Sequence, residues 1–115
     1  MTTREMIDEY RSRLLSSKDM HGDEASQILV ELSALVGNVN EEIVVREMAY
    51  HRLLNDILST PNMTSAAAKI RANASEEYEA WLRAKNSLTT IMEMIRGLKY
   101  RLKSLDEERR VSGNL

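Results

Sequence analysis

Apolar positions recur at three- and four-residue intervals through most of the chain, a rhythm that predicts an all-α protein of about three helices. Met6, Ile7, Tyr10, Leu14 and Leu15 place a short first helix at about residues 3–16, opened by Thr2 or Thr3 with Glu5 or Asp8 in its first turn. Ser16 to Asp23 reads as a polar, Gly-containing connection, with Asp23 as the N-cap of the second helix. That helix is expected at about 24–59. Leu29, Val36, Ile43, Tyr50 and Ile57 fall seven apart, Leu32, Val39 and Leu53 come three residues after members of that series, and Arg46 takes the remaining position. Such a rhythm keeps one seam against a partner helix. Ile28, Leu35 and Ala49 widen the stripe to bundle width. Gly37-Asn38-Val39-Asn40 is the weak point, because an interior Gly costs about 1 kcal/mol relative to Ala. The heptad phase passes through it unchanged, which favours one continuous helix.

Ser59-Thr60-Pro61-Asn62 ends the second helix, and Met63 followed by Thr64 or Ser65 opens a third, expected at about 64–108. Trp81, Ala84, Leu88, Ile91, Ile95, Leu98, Leu102 and Leu105 alternate spacings of three and four along it, and residues 109–115 are expected to fray. Rods of that length reach roughly 55–65 Å at 1.5 Å per residue. One short helix cannot cover them, so the bundle is expected to be completed by oligomerisation. The seam assigned to that contact is Leu29, Val36, Ile43, Ile57, Leu88, Ile91, Ile95, Leu98, Leu102 and Leu105, all within a single expected domain, 1–115.

Composition agrees with this reading. The chain has seven Met, one Trp, four Tyr and no Phe, with four Gly and one Pro, a mix suited to helix seams and poor in turns. Net charge is −2, so the molecule as a whole has no pull toward nucleic acid. Residues 1–60 carry 6 basic and 11 acidic groups and residues 61–115 carry 10 and 7, a polarity that suits antiparallel packing. The absence of Cys excludes disulfides and thiolate chemistry and fits a reducing compartment. No apolar run has the ~18 residues of a membrane span, and Met1-Thr2-Thr3-Arg4-Glu5 is not a signal peptide. A soluble cytoplasmic protein, without membrane association, is expected.

Candidate chemistry is sparse. Arg46 interrupts the seam with Glu42 one turn before and Tyr50 one turn after, as a register-setting or anion-binding guanidinium would, or as a cation reaching to water from the seam edge. Arg96, Lys99 and Lys103, with Arg110 farther on, form a basic stripe suited to phosphates or to an acidic neighbouring helix, and Arg101 and Arg109 add charge nearby. Tyr78 and Trp81 are amphipathic aromatics, either core or a platform for a base. Glu47 with His51, and His21 with Asp23 and Glu24, fall short of the three or four ligands a metal needs, so no metal site and no cofactor are expected. No phosphate loop, nucleophile elbow or catalytic triad is present, and the chain is expected not to be an enzyme.

The stretch Ala74-Ser75-Glu76-Glu77-Tyr78-Glu79-Ala80-Trp81-Leu82-Arg83-Ala84-Lys85, continuing to Ile95-Arg96-Gly97-Leu98-Lys99-Tyr100-Arg101-Leu102, resembles small all-helical accessory proteins of tailed bacteriophages. That resemblance implies a non-catalytic helper in the host cytoplasm, such as an anti-defence factor, and assigns no residue a role. Two functions are expected from these readings together. The first is a helical oligomer that binds or blocks a protein partner. The second is a module that sequesters a nucleotide or short nucleic acid at a subunit junction through Arg46, Tyr50, Tyr78, Trp81, Arg96, Lys99 and Lys103.

Overall fold

A computed structural model describes residues 2–16 and 22–113. The protein is all-α: α1 (Thr3–Ser16), α2 (Gly22–Leu58), α3 (Ser65–Asn73) and α4 (Glu76–Gly113), with no strand among the described residues. Thr2 caps α1, its hydroxyl accepting from the Glu5 N–H at 3.1 Å and its carbonyl from the Met6 N–H at 3.0 Å. The polar connection and His21 lie outside the described residues, except at its ends. Asp23 sits in the first turn of α2 rather than before it, where its charge favours the helix N-terminus. Gly37 is exposed and leaves α2 unbroken. The turn after α2 uses Asn62 in the left-handed region (φ 64°), which Asn tolerates better than most side chains.

The expected third helix is in fact two helices. Thr64 caps α3, its hydroxyl accepting from the Ala67 N–H at 3.1 Å. At the other end Ala74 leaves the helical region (φ −92°, ψ 4°), and the Ala74 and Ser75 amides bond back to the Arg71 and Ala72 carbonyls. Ser75 then caps α4, accepting from the Tyr78 N–H at 3.2 Å, with Glu76, Glu77 and Glu79 in the first turn. α4 also continues past residue 108 to Gly113, over residues expected to fray. The Asp106–Arg110 ion pair at 3.6 Å, one turn apart, supports those last turns.

The chain divides into two compact units. The first comprises Met1–Gly37 and Thr89–Leu115, and is cored by Ile7 of α1, by Ala25, Ile28, Leu32 and Leu35 of α2, and by Ile91, Ile95 and Leu98 of α4. An Arg13–Glu31 pair at 3.6 Å links α1 to α2. The second unit, Asn38–Leu88, buries Val39, Tyr50, Ala68, Ala72, Ala84 and Ser87. Ala68 and Ala72 lie one turn apart on α3, and both are fully buried.

The seam of α2 keeps Leu32, Val39 and Tyr50 of the heptad read in the sequence but shifts its centre in the first unit. Ile28, Leu32, Leu35 and Val39 are buried, while Leu29 and Val36 are half-buried flanks. Beyond Val39 the inward face passes through Ile43, Tyr50 and Ile57, as the heptad places them, with Leu54 beside them. Arg46, expected in the seam, is exposed, since burial would strip a guanidinium of water. On α4, Ile91, Ile95 and Leu98 are buried within the single chain. Ile43, Ile57, Leu88, Leu102 and Leu105 are half-buried.

Tyr10 offers a pH test of the first unit. Burial, then a hydrogen bond to Glu31 and its charge, raise the phenol above its ordinary value of 10.0. The raised folded-state value means the unfolded chain ionises first. Stability from this group is therefore full below pH 10, and is lost as pH rises through the folded-state value. Urea titrations at pH 8 to 11 are expected to show Tyr10→Phe losing less stability in alkali than wild type. Equal alkaline losses would show that Tyr10 is not held this way.

Candidate functional site

Three of the residues assigned to ligand binding do meet. Tyr50 from α2 and Tyr78 and Trp81 from α4 form an aromatic cluster within the second unit. Tyr50 stacks on Trp81 with centroids 5.2 Å apart and planes at 30°. Tyr78 lies 5.4 Å from Tyr50 and meets Trp81 edge-on at 6.1 Å. The Tyr50 hydroxyl donates to Asn73 Oδ1 at 2.5 Å, tying α2 to the corner between α3 and α4. His51 and Lys85, which the sequence reading leaves out, complete the cluster, although Lys85 follows Trp81 by one helical turn and that spacing could have found it. His51 lies 6.1 Å from Trp81, and the Lys85 ammonium sits over the indole at 4.3 Å, a cation–π contact.

These rings are occupied by one another. Tyr50 is buried, Tyr78 and Trp81 are half-buried, and both the stacking on Trp81 and the Lys85 contact come from the chain itself. Trp81 Nε1 is buried with no hydrogen-bond partner. The cluster is thus in the first place a packing element that fixes the α3–α4 corner.

The remaining ligand-binding candidates are dispersed. Arg46 is exposed on α2 in the second unit. Arg96, Lys99 and Lys103 are exposed on α4 in the first unit, so the basic stripe and the aromatic cluster belong to different units. Glu47 and His51 approach to 3.6 Å as a half-exposed pair, and no group of three or more potential metal ligands exists among the described residues.

A second feature escaped the sequence reading. Val44, Val45 and Met48 on α2 are 54%, 62% and 51% exposed, all within the second unit. At 100° per residue the line Glu41–Val45–Met48–Arg52 lies opposite the inward line Val39–Ile43–Tyr50–Leu54–Ile57. Its helical spacing was visible in the sequence, but a heptad argument assigns one seam per helix and leaves a second stripe as surface. No helix among the described residues is long and apolar enough to cross a membrane.

The chain is therefore an all-α helical protein whose described residues offer an internal aromatic cluster and an apolar outer face on α2. No protein-family model, curated protein or solved structure matches it.

Proposed function

We propose that this protein is a non-enzymatic interaction module that presents the outer face of α2 to another protein chain. The observation that carries the reading is the cluster Val44, Val45 and Met48, three large apolar side chains more than half exposed within about one turn of helix. Their neighbours Glu41 and Arg52 are exposed charges, giving the patch an apolar centre and a polar rim. The resemblance to phage accessory proteins supplies the proposed setting, a helper or anti-defence factor in the cytoplasm of a bacterial host.

The test is capture by the immobilised full chain from lysate of the cell that produces it. Met48→Glu is expected to abolish capture while leaving the far-UV dichroism unchanged, because the side chain is exposed and its helix tolerates Glu. Capture that survives this change, with the fold intact, would remove the α2 face from the function.

Sequestration of a nucleotide is the second reading, and the unsatisfied Trp81 Nε1 is the observation in its favour. Trp81 is the sole tryptophan, so its fluorescence reports on the cluster directly. The interaction reading predicts no change when ATP or a short oligonucleotide is added. Saturable quenching that weakens with salt would reverse the preference.

A further inference from the structure

The outer face of α2 is self-complementary, and from this we infer that its occupant is a second copy of the same chain, packed antiparallel about a two-fold axis between Arg46 and Glu47. The inference rests on the interaction reading above and names the partner. Along this face Glu41, Val45, Met48 and Arg52 succeed one another at spacings of four, three and four, the interval that keeps residues on one helical seam. All four are exposed. Neither Glu41 nor Arg52 forms an ion pair within the chain among the described residues.

An antiparallel two-fold arrangement makes the contact isologous: if one residue meets another across the axis, the reciprocal contact forms as well. Setting the axis at the midpoint of the stripe brings Val45 against Met48 of the partner subunit, and Met48 against Val45 of the partner subunit. The same operation places Glu41 opposite Arg52 of the partner subunit at one end and repeats that pair at the other. One step farther out, the exposed Asn38 faces Asn55 of the partner subunit, and two amides can satisfy each other as donor and acceptor. An apolar centre is thus closed at both ends by opposite charges.

Orientation is set by the same residues. A parallel pairing in register would set Glu41 against Glu41 of the partner subunit and Arg52 against Arg52 of the partner subunit, placing like charges together at both ends. Only the antiparallel arrangement makes every charged position on the stripe attractive. An unrelated partner would have no reason to leave this face with its charges mirrored about its own midpoint.

The contact is small. Residues 38–55 span about 27 Å of helix axis, which puts a single helix pair at the low end of specific interfaces and the dissociation constant in roughly the tens-of-micromolar range. Its electrostatic part is exposed, so salt weakens it.

Sedimentation equilibrium on the full-length chain tests this with three variants whose changes all lie on exposed positions. Wild type is expected to form a dimer with a dissociation constant of roughly tens of micromolar. Glu41→Arg and Arg52→Glu each turn two attractive contacts into repulsive ones, and each should weaken the dimer by about tenfold or more. The double variant Glu41→Arg/Arg52→Glu restores both pairs with their signs exchanged and should return to within about threefold of wild type. Far-UV dichroism checks that all three remain folded. A wild-type chain that stays monomeric to about 1 mM overturns the inference. So does a dimer indifferent to Glu41→Arg, or a double variant as weak as the singles. If wild type is monomeric but Met48→Glu still abolishes lysate capture, self-pairing is wrong and the interaction reading stands. If Met48→Glu changes neither, both fall.

Discussion

Replacing Trp81 by alanine is expected to lower the free energy of unfolding by about 3 kcal/mol, the lower end of the range for large aromatic truncations because the ring is half-buried. The indole is the hub of the cluster: Tyr50 stacks on it, Tyr78 meets its edge and Lys85 covers it. Truncation leaves a cavity beside all of them and frees the corner that the Tyr50–Asn73 bond helps to hold. Trp81→Phe should be far milder, within about 1 kcal/mol of wild type, since it removes a buried donor that has no partner as well as part of the ring. Urea unfolding monitored by dichroism measures both. A loss under about 1 kcal/mol for Trp81→Ala would show that the rings do not pack as a unit.

The second large effect separates two neighbouring residues on α2. Ile28→Ala is expected to cost about 3 kcal/mol, because Ile28 is completely buried in the first unit and its loss leaves a void. Leu29→Ala should cost only about 1 kcal/mol, since that side chain keeps part of its surface in water. The sequence predicts the reverse, with Leu29 on the seam and Ile28 on its flank. If Leu29 proves the costlier position, the heptad as read from the spacing is the true packing face and the observed one is wrong.

That reversal shows where a single sequence loses resolution. Spacing alone locates α1 and α2 to within two residues, because their apolar rhythm and the Thr2 cap are local signals. The phase of the seam is not local. A strict seven-residue series through Leu29 and Val36 and an alternating series through Ile28, Leu32, Leu35 and Val39 coexist on one helix, and only the packing of α1 and α4 decides between them. The division between α3 and α4 is written in Ser75 followed by Glu76, Glu77 and Glu79, a cap with an acidic first turn. The apolar rhythm from Trp81 onward masks it, being so regular that it extends the helix back through the corner.

The aromatic trio is legible as a group, since Tyr50, Tyr78 and Trp81 all stand out in the sequence. Its character is not. Residue types cannot show whether rings will stack on a ligand or on each other, and here the partner of each ring is another ring of the same chain. The outer stripe of α2 is hidden for a complementary reason. Val45 and Met48 flank the charged pair Arg46 and Glu47, and their exposure becomes visible only once the opposite face is known to be buried.

The last turns of α4 carry a consequence for the protein's local opening. From Asp106 to Val111 every side chain is exposed, so these turns rest on their own backbone hydrogen bonds and on the Asp106–Arg110 pair. A helical segment held this way opens at almost no cost, whereas the turns around Ile91, Ile95 and Leu98 open only when the core does. Amide protons along one continuous helix should therefore exchange with deuterium over a steep gradient. They should be fast near Gly113 and approach the rate of global unfolding by Ile91, so that α4 behaves as a rigid core element and a labile end in a single length of chain.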